Sequence, residues 1–195
     1  MGEAQFGVLF VCTGNICRSP MGERLLAAGL RKHFGDEARA IDVRSAGTWG
    51  RDGAPMEDYA ADAVIERGGD PTGFAARELR EHHVEDAGLV LGATRDHRAA
   101  AVTMVPRASA WTFTLPEFAR LAAAVDPAAL PAPLAERFPA LVSAAAAKRG
   151  LVRPQTPDDD DVKDPYGRSR EVFAVCADAV AGPVDAILRV LAGHR

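Results

Sequence analysis

Residues 8–20 constrain the fold of this chain more than any other stretch. They open with a short apolar run rich in β-branched and aromatic residues, which is typical of a buried strand. The run breaks at Gly14 and Asn15, which tolerate turns and left-handed backbone. Ser19 then stands at the position of a helix N-cap, with Glu23 in the first turn. This order predicts a strand, a tight loop and a helix.

The loop between this strand and this helix has the features of an anion site. Its backbone N–H groups turn inward at a helix N-terminus, where the helix dipole favours negative charge. Cys12 ends the strand and Arg18 follows six residues later, so the guanidinium can close a ring of amides with two parallel hydrogen bonds. The same field favours the thiolate form of Cys12, and the Ser19 hydroxyl is placed to donate to its sulfur. We therefore predict a tetrahedral dianion bound above a nucleophilic cysteine.

The spacing of Cys12 and Arg18 alone is weak evidence, because a buried cysteine and a surface arginine would be the simpler interpretation. The full string Val-Cys-Thr-Gly-Asn-Ile-Cys-Arg-Ser-Pro at residues 11–20, however, resembles the active-site loop of the low-molecular-weight protein tyrosine phosphatases. The resemblance implies hydrolysis of phosphotyrosine through a phosphocysteine intermediate, with Cys12 as the nucleophile and Arg18 as the transition-state clamp. It implies no cofactor and no metal.

A second match to that family lies at residues 163–167, which read Lys-Asp-Pro-Tyr-Gly. Departure of a phenolate needs a proton donor, and hydrolysis of the cysteine adduct later needs a base. Asp164 can serve as both, although a simple Asp-Pro turn is the alternative interpretation. Because Asp-Pro-Tyr-Gly shortly before a final helix resembles the general-acid loop of the family, the resemblance implies that Asp164 is the third catalytic residue.

The resemblance also assigns binding and supporting residues. The implied substrate-binding residues are Thr13, Gly14, Asn15, Ile16, Cys17, Ser19, Trp49 and Tyr166. The string Ser-Ala-Gly-Thr at residues 45–48 matches the family turn whose serine braces the phosphate loop, so Ser45 takes that role. Trp49 is expected to line one wall of the cleft rather than to pack at a sheet edge. Phe74 departs from the pattern, because the family often has a histidine there that bonds the loop asparagine.

The rest of the chain alternates between strand and helix patterns. Further strands are predicted at residues 40–45, 87–92 and 110–114, and helices at residues 19–34, 56–67, 94–102 and 169–191. A strand–helix–strand unit makes its strands parallel, and ligands bind beyond their carboxyl ends. The resemblance implies an α/β fold with a four-stranded parallel sheet and helices on both faces, in a single phosphatase domain over residues 1–195.

Residues 115 to about 152 depart from the family, whose connection at this point is short. One helix is predicted to begin at Leu115 and another to cover residues 134–148, with three prolines between them. The pattern is too regular for a disordered loop, so we predict a helical insertion that could flank the cleft or contact a second copy. The acidic run at residues 158–161 lacks the spacing of a calcium site and is expected to be a solvated loop.

Charge and cysteine usage bound the location and the partners of the chain. A net charge of −4 argues against general binding to nucleic acid or to a membrane surface. No stretch has the length of a transmembrane helix or the pattern of a signal peptide, and three cysteines do not suggest a disulfide framework. We therefore expect a cytoplasmic protein in which Cys12 and Cys17 could pair under oxidation. The resemblance implies phosphotyrosine-containing proteins as partners, a cognate tyrosine kinase among them.

Three other functions stay open on the sequence. Phosphoarginine phosphatases of the family carry threonine where this chain has Ile16, and an isoleucine is better suited to an aromatic ring. Arsenate reductases share the loop but need further redox cysteines near the cleft, whereas Cys176 is predicted to be a core residue on the last helix. A phosphate-binding or partner-binding protein without turnover is the third alternative. His82 and His83 are expected to be solvated residues at a helix start, without the spacing of a metal site.

Overall fold

A computed structural model of the chain describes residues 6–193. Its centre is a four-stranded parallel sheet in the order β2-β1-β3-β4. The strands are β1 (Phe6–Cys12), β2 (Ile41–Gly47), β3 (Leu89–Gly92) and β4 (Thr112–Thr114). The register sets Cys12, the last residue of β1, opposite Gly47, the last residue of β2. The predicted sheet is confirmed, and the carboxyl ends of its two longest strands meet at one edge.

Helices cover both faces of this sheet, as predicted. They are α1 (Arg18–Phe34), α2 (Asp58–Glu66), α3 (Glu81–Glu85), α4 (Arg95–Met104), α5 (Leu115–Ala123), α6 (Leu134–Ala146) and α7 (Arg170–Leu191). Short 3₁₀ segments lie at Gly35–Ala40, Pro106–Ala110, Pro127–Ala129 and Pro157–Asp160. No helix within residues 6–193 is both long enough and apolar enough to cross a membrane.

The alternation of side chains along β1 explains why both faces are covered. Val8 and Phe10 point into the larger core, which α1, α5, α6 and α7 complete. Leu9 and Val11 point the other way, into a smaller core that contains Val84 of α3 and residues of α4. A strand that is apolar on both faces must lie between two layers, so the apolar run in the sequence already favoured this arrangement.

The start of α1 differs from the prediction. The helix begins at Arg18, and Cys17 precedes it without a side-chain cap, so the assignment of Ser19 as N-cap was wrong. The Ser19 hydroxyl is used elsewhere, since it contacts the Cys12 sulfur and the Asn15 side chain. Glu23 consequently lies beyond the first turn, and its side chain is buried. The fourth strand also starts later than predicted, because residues 106–110 form a 3₁₀ turn.

The two helices predicted for residues 115–152 are present as α5 and α6. They are not an appendage, because Phe118 and Phe138 are fully buried in the larger core. Phe138 also packs on Phe6 of β1, with ring centroids 5.4 Å apart. The segment therefore completes the core beside α7.

A buried arginine fastens this segment to the end of α7. Arg137 of α6 donates to the carbonyl oxygens of Leu191 and Val190 at the C-terminus of α7. The same guanidinium donates to the carbonyl oxygens of Leu130, Pro131 and Pro127 in the connection between α5 and α6. The Val190 and Pro127 carbonyl oxygens also accept backbone N–H groups, from Gly193 and Leu130. Arg137 therefore matters most for the carbonyl oxygens of Leu191, Leu130 and Pro131.

We expect Arg137→Met to destabilise the fold by about 3 kcal/mol, because it leaves buried carbonyl groups without donors. Urea unfolding of the variant and of the parent chain measures this difference. Arg153→Met is the matched control, since Arg153 is exposed and should change the free energy of unfolding little. Equal effects of the two substitutions would contradict the role given to Arg137.

Candidate active site

The loop between β1 and α1 turns its carbonyl groups outward. Four of its carbonyl oxygens accept hydrogen bonds from backbone N–H groups of residues 48–57. The acceptor and donor pairs are Cys12 with Thr48, Thr13 with Trp49, Gly14 with Arg51 and Ile16 with Glu57, at 2.9–3.2 Å. By contrast, none of the N–H groups of residues 13–17 donates to an acceptor within residues 6–193. Because the outer side of the loop is occupied, these amides are left to converge on a ligand.

Two local features allow the loop to adopt this shape. Asn15 has a φ of 54°, and asparagine is one of the few residues that tolerate the left-handed region. Gly47 lies directly behind the loop, where an added Cβ would stand 2.4 Å from the Thr13 carbonyl oxygen. Any side chain at this position of β2 would push the loop away, so glycine is required for the close approach.

The Asn15 side chain fixes the loop from behind. The backbone N–H of Arg77 donates to Asn15 Oδ1 at 2.8 Å, so the amide nitrogen must face the other way. That nitrogen donates to the hydroxyl oxygens of Ser19 at 2.9 Å and Ser45 at 2.8 Å. Ser45 therefore hydrogen-bonds the loop asparagine, and the Arg77 main chain bonds Asn15 although Phe74 stands where the resemblance led us to expect a histidine.

The same arrangement orients the Ser19 hydroxyl toward the nucleophile. The Ser19 oxygen already accepts from Asn15, and it lies 2.9 Å from Cys12 Sγ. Its proton has two acceptors within reach, the sulfur at 2.9 Å and the Ala46 carbonyl oxygen at 3.4 Å, and a hydrogen bond to the sulfur stabilises its thiolate form. This contact agrees with the expectation from the sequence, although Ser19 was expected to cap the helix as well.

A buried carboxyl group, which the sequence analysis missed, ends this network. Ser45 donates to Glu23 Oε2 at 2.6 Å, and Glu23 is almost completely buried. Burial raises the pKa of Glu23, while the hydrogen bond from Ser45 and the charge of Arg24 oppose the rise. In the sequence, Glu23 resembles an ordinary first-turn glutamate, so no local signal distinguishes it from an exposed residue.

Arg18 closes the ring of amides. Its side chain is 5% exposed, and its Nη1 donates to the carbonyl oxygen of Val162 at 3.1 Å. Its Nη2 donates to Asp164 Oδ2 at 2.8 Å. Its Nε is buried and has no acceptor among the described residues. Nε and Nη2 together are the pair of donors that binds two oxygens of a phosphoryl group at once, so a bound phosphoryl group would take Nη2 from Asp164 and from Thr13.

These groups line one cleft of about 230 Å³. Most of the predicted site residues meet there, although they come from distant parts of the chain. The lining residues are Cys12, Thr13, Gly14, Ile16, Cys17, Arg18, Trp49, Arg51, Asp164 and Tyr166. The side chains of Asn15, Ser19 and Ser45 are buried behind the loop instead and do not form the wall. The sequence analysis grouped Asn15 and Ser19 with the binding residues. In the structure their side chains support the loop from behind.

The mouth of the cleft is aromatic and basic. Trp49 is 80% exposed and Tyr166 is half-exposed. Arg51, which the sequence analysis did not select, lies over the Tyr166 ring at 5.0 Å from its centroid. These side chains offer flat apolar surfaces to a substrate and one cation to its surroundings.

His97, which the sequence analysis did not select, supports the other side of the loop. Its Nε2 lies 3.0 Å from the Thr13 hydroxyl, and its Nδ1 lies 2.7 Å from the Thr94 hydroxyl. Burial lowers the pKa of His97 to about 4, and the charge of Arg18 acts in the same direction. His97 is thus a neutral hydrogen-bonding residue near neutral pH, linked through Thr13 to Arg18 at 3.4 Å.

The remaining cysteines and the acidic run also have definite environments. Cys17 and Cys176 are buried free thiols, and burial raises the pKa of Cys176 to about 12. The expectation of a solvated acidic loop was wrong for Asp160 and Asp161, which are partly buried and pair with arginines. Within residues 6–193 no group of three or more histidine, cysteine or acidic residues is arranged to hold a metal ion.

Comparison with known proteins finds a phosphatase family and relatives that are named as phosphatases. The sequence model of the family described as "Low molecular weight phosphotyrosine protein phosphatase" matches residues 7–136, a range that ends before Asp164. A protein-arginine-phosphatase of Geobacillus stearothermophilus is 33% identical over 113 residues, which are 58% of this chain and 71% of that protein. The low molecular weight protein-tyrosine-phosphatase Etp of Escherichia coli K12 is 36% identical over 107 residues, or 54% and 67% of the two chains.

A solved structure is similar along most of the chain. The low molecular weight protein tyrosine phosphatase from T. tengcongensis superposes with a TM-score of 0.68 and 28% sequence identity. The superposition covers 95% of this chain and 99% of that one. Relatives named as tyrosine phosphatases and relatives named as arginine phosphatases therefore both resemble this chain.

The environment of His97 generates a prediction about stability and pH. The unfolded chain binds a proton at this residue below about pH 6.5, whereas the folded chain does not until about pH 4. The free energy of unfolding should therefore fall as the pH falls through this window, by roughly 3 kcal/mol at most. Above pH 6.5 the residue is neutral in both states and contributes no pH dependence.

His97→Gln should remove this part of the pH dependence, because glutamine does not titrate there. Urea unfolding at pH 7, 5.5 and 4.5 compares the variant with the parent chain. His33→Gln is the control, since His33 is exposed on α1. Parallel stability curves for the parent and His97→Gln would mean that His97 is not held neutral by the fold.

Proposed function

We propose that this chain, which belongs to the low molecular weight phosphotyrosine protein phosphatase family, hydrolyses phosphotyrosine in proteins. The observation that carries the proposal is the ring of amides at residues 13–17, which have no acceptor among the described residues and which Arg18 closes above Cys12. Such a ring binds a phosphoryl group by all of its non-bridging oxygens at once. It binds the trigonal-bipyramidal transition state better still, because the three non-bridging oxygens then lie in one equatorial plane, which a ring of donors can surround.

The first step transfers the phosphoryl group to the enzyme. The Cys12 thiolate attacks phosphorus, so an S–P bond forms while the bond from phosphorus to the tyrosine oxygen breaks. For this step the phosphoryl group displaces Asp164 from its ion pair with Arg18, and Asp164, in its protonated form, gives its proton to the departing oxygen. Asp164 is suited to this role because its side chain lines the cleft and is half-exposed toward the substrate.

The second step releases phosphate. The Asp164 carboxylate accepts a proton from water, whose oxygen attacks phosphorus as the S–P bond breaks. The bonding electrons return to sulfur, where the Ser19 hydroxyl at 2.9 Å stabilises the thiolate. Neither step requires a metal or a cofactor, since the protein supplies both the positive field and the proton.

The lining of the cleft favours an aryl phosphate over phosphoarginine. Ile16 presents an apolar side chain to the cleft, and Trp49 and Tyr166 add aromatic surfaces near its mouth. A phenyl ring gains from such contacts, whereas a guanidinium group would lose hydration against the Ile16 side chain. Protein phosphotyrosine, including that of a cognate tyrosine kinase, is the substrate class we infer.

Arsenate reduction is less well supported by the site. That reaction needs a second thiolate to attack the cysteine adduct and a third to complete the transfer of electrons. Cys176 is buried on α7 and does not line the cleft, and burial favours its protonated thiol. Turnover of arsenate should therefore be absent.

The test compares two phosphopeptides that differ only in the phosphorylated residue. We expect kcat/KM for the phosphotyrosine peptide to exceed that for the phosphoarginine peptide by at least about tenfold, and Ile16→Thr to narrow the ratio. Cys12→Ser is the blank, which should lose turnover while still binding phosphate or vanadate. A preference of the parent chain for phosphoarginine would reassign the substrate. Absence of turnover on both peptides would leave a binding protein.

Asp164 generates a separate prediction about leaving groups. Asp164→Asn should slow the phosphorylation of Cys12 by phosphotyrosine by about 10²–10⁴-fold, the usual size of general acid catalysis. An activated aryl phosphate, whose phenol leaves without a proton, should be slowed much less. The alkaline limb of the pH–rate profile should also flatten.

Single-turnover assays on both substrates measure these effects. Equal losses on the two substrates, with an unchanged alkaline limb, would show that Asp164 only positions its loop.

A further inference from the structure

The acidic run that precedes Asp164 is held by an arginine at the start of α4. The Arg95 side chain donates to Asp161 Oδ2 from Nε at 3.1 Å and from Nη2 at 2.7 Å. The Arg95 backbone N–H donates to Asp161 Oδ1 at 2.8 Å, and Nη2 also reaches Asp158 at 3.0 Å. These hydrogen bonds outweigh the effect of burial and lower the pKa of Asp161.

A second arginine holds the same run from α5. Arg120 donates from Nη1 and Nη2 to the two carboxylate oxygens of Asp160, which makes the pair two-pronged. The two side chains are only 24% and 13% exposed, whereas Arg95 and Asp158 are 44% and 86% exposed. The pair of Arg120 and Asp160 is thus the better shielded of these contacts and the less weakened by solvent.

The anchored run leads directly to the catalytic groups. The Val162 N–H donates to the Ala93 carbonyl oxygen at 2.7 Å, and the Val162 carbonyl oxygen accepts from Arg18 Nη1. Asp164 lies two residues further on. An extended chain advances at most about 3.5 Å per residue. Because only a few residues separate Asp160 from Val162 and Asp164, a displacement of Asp160 is transmitted along the backbone to both.

Charge makes the anchor necessary. Four consecutive aspartates at residues 158–161 repel one another and favour an extended, hydrated segment. Removing the Arg120 cation would leave the Asp160 carboxylate partly buried without its partner, which costs more than the pair itself contributes. Asp160 would then move toward water, and the chain that leads to Asp164 would be held only by its contacts with Arg95, Ala93 and Arg18, so the position of the candidate acid would be less well fixed.

We propose that Arg120 of α5 is a positioning residue, which holds the general acid Asp164 in place through its ion pair with Asp160. By this ion pair the helical segment at residues 115–152 contributes to the placement of the general acid. The inference depends on the proposed function, because it assigns a task to Asp164. It gives the additional helices a role in catalysis beyond completing the core.

The experiment uses full-length Arg120→Met and Asp160→Asn. We expect each to slow the phosphorylation of Cys12 by phosphotyrosine by about tenfold, to affect 4-nitrophenyl phosphate much less, and to flatten the alkaline limb of the pH–rate profile. The double variant should be no slower than the slower single variant, because both remove one contact. Asp160→Asn keeps the shape of the side chain and serves if Arg120→Met fails to fold.

Two controls separate the outcomes. Arg107→Met removes an exposed ion pair with Glu85, at 2.7 Å, on the far side of the sheet from α5 and should leave both rates unchanged. In an Asp164→Asn background, Arg120→Met should cause no further loss on phosphotyrosine. Equal losses of rate on both substrates, or no loss on either, would overturn the role of Arg120. Neither outcome would contradict the proposed phosphatase function. If Asp164→Asn itself shows no dependence on the leaving group, the assignment of the acid fails and this inference fails with it.

Discussion

The inward orientation of the loop amides is the constraint on which the rest of the site depends. A loop can present its N–H groups to a ligand only if its carbonyl groups find donors elsewhere. Here the donors come from residues 48–57, directly after β2. The pairing of Cys12 with Gly47 brings that segment alongside, and the absence of a side chain at Gly47 lets it come close enough. The sheet register and one glycine thus decide the electrostatics of the cleft.

Two polar networks hold the loop in this strained shape. One runs from Glu23 through Ser45 and Asn15 to Ser19, and the other joins Thr94 through His97 to Thr13. Buried polar groups are costly unless each finds a partner, but a fully satisfied network is rigid. The Glu23 carboxyl group and the His97 imidazole therefore keep the left-handed Asn15 and the Arg18 guanidinium in place.

The proposed acid reaches the site by a longer route. Asp164 is separated from Arg18 by 146 positions, yet the two side chains form a direct ion pair. The chain between them passes through β2, β3, β4, α5 and α6 before it returns to the sheet edge. Contacts with Ala93, Arg95 and Arg120 fix the last part of this path. The site therefore depends on packing far from the loop, and α5 and α6 are part of that packing.

The sequence by itself determined the parts of this protein that are local. The apolar run, the Gly14–Asn15 turn and the spacing of Cys12 and Arg18 predicted a strand, an anion loop and a helix, because each follows from the preferences of adjacent residues. The alternation of patterns predicted the parallel sheet, and the prolines and leucines of residues 115–152 predicted two helices. Only the tertiary structure decided that Glu23 and His97 support the loop, that Arg77 bonds Asn15 and that Arg120 pairs with Asp160. These contacts join residues on separate elements. The sequence neighbours of such a residue are of the same kinds whether folding buries its side chain or leaves it exposed, so the sequence alone does not reveal the contact.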